Sequence, residues 1–126
     1  MNFTTLLSIA LGGAVGSVAR ALIGYALPAR FPWATLWVNA AGSLLIGWLM
    51  ARLGGTEPAA SARLQGLLIV GFCGGFTTFS TFSWQTLEQM MKGQWAAAAA
   101  NVLLSVALCL VTVWLGFRLE IGRAHV

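Results

Sequence analysis

The chain has 126 residues, of which 59% are hydrophobic and only 8% charged, whereas soluble domains are about one-quarter charged. That composition excludes an ordinary soluble domain. The formal net charge of +4 comes from basic residues scattered along the chain, which form no patch or stripe for nucleic acid and read as anchors at helix ends.

Uncharged stretches run over 1–19, 31–51, 64–87 and 93–117, each close to the roughly 20 residues that carry a helix across about 30 Å of hydrocarbon. Four membrane-spanning helices are predicted, over about 3–27, 34–52, 63–91 and 95–117, as one all-α domain across 1–126. Connections this short leave no room for a separate catalytic domain. The N-terminal stretch lacks a basic n-region and its apolar run outlasts an h-region, so it reads as a retained first helix.

Span one ends ahead of Pro28 and Pro32, because proline and the residue before it disfavour helix. Gly12 and Gly16 lie one turn apart, the spacing that lets two membrane helices approach closely. Arg20 is the one charge well inside a span. Intramembrane ionisable groups are functional candidates, here for anion attraction, and snorkelling to the interface is the structural account of the same residue.

Span two contains Asn39, Gly42, Ser43 and Gly47, with Trp33, Trp37 and Trp48 toward its ends, where indoles favour the interface. The cluster Gly54-Gly55-Thr56-Glu57-Pro58 reads as a turn outside the bilayer, and Ser61 as the cap of the next helix.

Span three contains Gly71-Phe72-Cys73-Gly74-Gly75-Phe76-Thr77-Thr78-Phe79-Ser80-Thr81-Phe82-Ser83. Glycines and hydroxyls this dense predict a break in the helix. Irregular backbone within a bilayer is tolerated only where protein buries it or a polar cavity borders it, so this segment marks the functional centre. A broken helix exposes N–H groups that suit anions and carbonyls that suit cations, and the residues alone leave both open. Phe79 and Phe82, three apart, share a face and could turn positive ring edges to an anion; core or lipid packing is the ordinary account of such residues, and their placement within the break is what favours the anion.

Span four sets Asn101, Ser105, Leu108 and Thr112 along one helical face. Asn101, Ser105 and Thr112, with Asn39, supply hydrogen-bonding groups without fixed charge, which suits a partly dehydrated ion that must leave again; interhelical hydrogen bonding is the alternative. Cys73 and Cys109 lack metal-site spacing and read as small hydrophobes. Aspartate is absent and the single histidine is His125, so no catalytic constellation can be assembled.

Arg52, Arg63, Arg118 and Arg123 fall on one side of a four-span topology, and Arg30, Lys92 and Arg20 on the other. Because Lys/Arg asymmetry sets orientation, this near balance permits insertion both ways, the precondition for an antiparallel homodimer.

The third-span segment, with Gly12-Gly13-Ala14-Val15-Gly16-Ser17-Val18-Ala19-Arg20 and Val38-Asn39-Ala40-Ala41-Gly42-Ser43, resembles the Fluc (CrcB) fluoride channels over nearly the full chain. The resemblance implies a dual-topology antiparallel homodimer in the cell membrane, with a broken third helix and two pores that let cytoplasmic F⁻ leave passively. It implies that Phe79 and Phe82 line the pore, that Asn39 and Ser105 continue a polar track, and that a structural Na⁺ at the dimer interface is held by the backbone carbonyls of Gly74 and Thr77. Thr112 joins the track by helical spacing alone. Ala34, Ala21 and Gln85 depart from residues common in the family. Two other readings are a small multidrug-type exporter, which needs a membrane-embedded acid that span one lacks, and a non-transporting membrane assembly protein.

Overall fold

The computed structural model describes residues 1–54 and 58–124; His125 and most of the expected turn at 54–58 lie outside them. Among the described residues the chain is helical, without strands. The elements are α1 (Phe3–Ala26), α2 (Trp33–Leu53), α3 (Pro58–Gln65), a π-helical stretch (Gly66–Cys73), α4 (Gly74–Phe76), α5 (Phe79–Met91) and α6 (Trp95–Ala124). Among the described residues, four continuous or near-continuous runs are long and apolar enough to cross a membrane: Phe3–Ala26, Trp33–Leu53, Ser61–Met91 and Trp95–Arg123.

Local chemistry sets the ends. The Asn2 side chain accepts the Thr5 N–H at 3.0 Å and starts α1, as a capping amide does. The helix stops at Ala26, before Pro28. Pro58 sits at the start of α3, where its missing N–H costs nothing; Ser61 therefore lies inside α3 and is not its cap. Span four was expected to end at 117, yet α6 runs to Ala124. Charge marks where hydrocarbon ends, but the backbone ladder has no reason to stop there, and Glu120 pairs with Arg52 of α2 at 2.9 Å.

Two helix pairs make up the body. α2 packs along α6, and α1 packs along the π-helical stretch and α4. Both pairings depend on bare backbone contact. A Cβ at Gly47 would strike the Val113 carbonyl, and one at Gly116 the Leu44 carbonyl. On α1, a Cβ at Gly12 would meet the Leu67 carbonyl and one at Gly16 the Phe72 carbonyl. Small residues at such crossings gain dispersion contacts that lipid cannot offer.

Between α4 and α5, Thr77 (φ −80°, ψ 157°) and Thr78 (φ −152°, ψ 113°) are extended. Gly71, Gly74 and Gly75 stay helical, and two of them allow close approach: a Cβ on Gly75 would collide with the Gly13 backbone, and one on Gly71 with the Ile9 carbonyl.

Candidate functional site

The extended pair Thr77–Thr78 is held on both sides. Asn39 of α2 accepts the Thr78 N–H on Oδ1 at 2.8 Å and donates Nδ2 to the Thr78 carbonyl at 3.1 Å. One amide thus satisfies both backbone groups of a residue that no helix ladder serves, which an apolar medium otherwise penalises heavily. Asn39 retains a second N–H on Nδ2. Thr78 in turn caps α5, its Oγ1 accepting the Thr81 N–H at 3.1 Å. Gly42, one turn beyond Asn39, leaves the space that the Thr77 methyl occupies. From α1, Ser17 Oγ donates to the Gly75 carbonyl at 3.4 Å. The three motifs singled out in the sequence therefore meet at one place, the junction of α4 and α5.

A cleft of about 540 Å³ opens at this junction. Of the predicted site residues it brings together Asn39, Gly74, Thr77, Phe79, Phe82 and Ser105. No charged side chain lines it among the described residues. The Phe79 and Phe82 rings lie 5.4 Å apart, tilted by 43°; Phe82 is 8% exposed and Phe79 77%, so one ring is set in the protein and the other stands on its outer face.

Two predicted residues lie elsewhere. Thr112 is outside this cleft, its hydroxyl donating to the Cys109 carbonyl of its own helix at 3.2 Å. Arg20 borders a second, polar basin of about 490 Å³, with Arg30, Lys92, Glu88, Gln85 and Gln89. Thr78 touches both cavities, so the basin and the cleft meet at the extended pair.

The backbone at the junction also decides which carbonyls are released. In an unbroken helix the Thr78 N–H would serve the Gly74 carbonyl and the Thr81 N–H the Thr77 carbonyl. Here the first goes to Asn39 and the second to Thr78 Oγ1. Gly74 is exposed, with nothing near the position a Cβ would take. Oxygens of this kind fit a hard monovalent cation.

Several contributors escaped the sequence reading. Thr78 was read only as one hydroxyl in a dense run, although a threonine three residues before Thr81 at a helix start is a recognisable cap. Thr86 carried no signal: its Oγ1 donates to the Phe82 carbonyl at 2.8 Å and accepts from Asn101 Nδ2 at 2.9 Å.

Fold and site together define a multi-pass helical membrane protein with an uncharged, phenylalanine-bordered cleft at the α4–α5 junction. Residues 7–117 match the family described as CrcB-like protein, Camphor Resistance (CrcB), and the chain belongs to that family. Similar proteins named "Fluoride-specific ion channel FluC" include one from Geobacter sulfurreducens, 52% identical over 90% of this chain and 94% of the relative. Another from Rhodospirillum rubrum is 48% identical over 89% and 91%, and one from Paramagnetospirillum magneticum is 47% identical over 86% and 88%.

Proposed function

We propose that the chain is a fluoride-selective channel of the cell membrane that lets cytoplasmic F⁻ out passively. The observation that carries this is the cleft in which Phe79, Phe82, Asn39 and Ser105 converge without a fixed charge. A small anion there meets donors and positive ring edges and the N-terminal end of α5, whose dipole favours negative charge. None of these holds an ion so tightly that it cannot leave. The names of the relatives support the same substrate.

The conducting unit in this reading is an antiparallel homodimer with two pores. Phe79 is mostly exposed on one chain and Gly74 is uncovered, so a second copy would complete the wall and bury the released carbonyls. The extended Thr77–Thr78 pair serves as the membrane-embedded break of the third span. Where two such breaks cross, the Gly74 and Thr77 carbonyls of both copies would hold a Na⁺ that fixes the interface and does not permeate. Arg20 draws anions into the polar basin that leads to Thr78.

A proton-coupled exporter needs an acid in its transport site. Glu88 borders the basin and not the cleft, which disfavours that reading. The test is growth: the chain expressed in a fluoride-sensitive bacterium lacking its own exporter restores growth on fluoride, and unchanged sensitivity with the protein in the membrane refutes the assignment.

A further inference from the structure

Behind the cleft wall a buried chain of hydrogen bonds joins α5 to α6. Thr86 Oγ1 donates to the Phe82 carbonyl at 2.8 Å, Asn101 Nδ2 donates to Thr86 Oγ1 at 2.9 Å, and Ser105 Oγ donates to Asn101 Oδ1 at 3.4 Å. Asn101 is 1% exposed, Thr86 7% and Ser105 6%. Phe82 and Ser105 border the cleft, whereas Thr86 and Asn101 do not.

The direction of every proton in this chain is forced. A backbone carbonyl only accepts, so the Thr86 hydrogen is spent on Phe82. The Thr86 oxygen must then accept, which turns the Asn101 amide nitrogen toward it. That leaves Asn101 Oδ1 facing Ser105, and Ser105 can satisfy it only by donating. The resting Ser105 hydroxyl therefore points its proton away from the cleft and its lone pairs toward it.

The bond that parks this proton is long. Hydroxyl donors usually sit 2.5–3.0 Å from their acceptors, against 3.4 Å here, so the interaction is weak and easily exchanged. A bare anion is the stronger acceptor.

Building on the reading of the cleft as a fluoride conduit, we infer that Asn101 and Thr86 are positioning residues that make Ser105 a two-position donor. The Ser105 hydroxyl swings from Asn101 Oδ1 to a passing fluoride and returns as the ion moves on. No covalent bond forms and no proton changes owner. The return bond to Asn101 offsets part of the cost of releasing the ion, so the site catches fluoride without trapping it.

Thr86→Val keeps the shape but removes the group that orients the Asn101 amide. The amide is then free to flip, and in the flipped state its nitrogen faces Ser105, which becomes an acceptor and keeps its proton aimed into the cleft, so fluoride dwells longer and flux falls about fivefold, the scale of one hydrogen bond. Thr86→Ser restores the hydroxyl and the flux. The deciding experiment is a double-mutant cycle on fluoride flux from vesicles, with Ser105→Ala as the second change. If Thr86 acts through Ser105, Thr86→Val has no further effect in the Ser105→Ala background; two independent effects that multiply overturn the inference. Failure of Thr86→Ser to rescue overturns it too, and still applies if Thr86→Val does not fold. Wild-type vesicles that pass no fluoride would instead defeat the channel assignment itself.

Discussion

Replacing Asn39 by alanine removes both bonds that hold Thr78, 2.8 Å to its N–H and 3.1 Å from the amide to its carbonyl. Thr78 is buried, and a buried backbone group left unpaired costs about 1–3 kcal/mol. Two such groups put the local penalty at roughly 2–6 kcal/mol. Even about 2 kcal/mol, at about 1.4 kcal/mol per factor of ten, opens the junction roughly thirtyfold more often. Hydrogen exchange at the Thr78 amide in detergent reads this directly. Asn39→Ala should exchange at least that much faster, and Asn39→Asp, which keeps the acceptor for the N–H, should fall between it and the wild type. Fluoride flux should drop with the loss of the clamp. Unchanged exchange at Thr78 in Asn39→Ala would refute the idea that this amide holds the extended pair.

Other consequences are as specific. Phe79→Ile or Phe82→Ile should cut fluoride flux strongly while the protein still elutes at the wild-type position; unchanged flux in both single variants would remove the ring-edge role. Gly47→Val or Gly116→Val drives a side chain into the facing backbone, where overpacking costs about 1–3 kcal/mol or more, and should abolish the monodisperse peak in gel filtration. Arg52→Gln breaks an ion pair whose arginine is 58% exposed but whose Glu120 is only 15% exposed, so the loss should exceed the ~0–1 kcal/mol of a fully exposed pair: thermal unfolding should shift to lower temperature while flux per folded protein holds.

Four apolar runs were legible because charge and hydrophobicity alone set them: Arg30, Arg52, Lys92 and Arg118 border stretches whose length matches a bilayer, with Arg20 the exception inside the first. The sequence reached the cleft through residues whose chemistry is conspicuous in lipid, Asn39 and Ser105 among them. What it missed depends on direction more than on composition. Helical spacing placed Thr112 on the same face as Ser105, but its hydroxyl turns back to Cys109, the usual option for a threonine in a helix. The glycine run 71–75 was expected to loosen the backbone. Gly71 and Gly75 instead pack closely against α1, and the extended residues are the threonines that follow. Thr86 was not legible because its value lies in one carbonyl and one amide that only the fold brings within reach.

An uncharged cleft at the α4–α5 junction should conduct fluoride and refuse larger halides. Purified chain in vesicles loaded with equal fluoride and chloride, watched with electrodes for each ion while a potassium ionophore balances charge, tests it most directly. Fluoride should be released rapidly, more slowly in Phe82→Ile, with chloride retained. Release of both ions, or of neither, would contradict it.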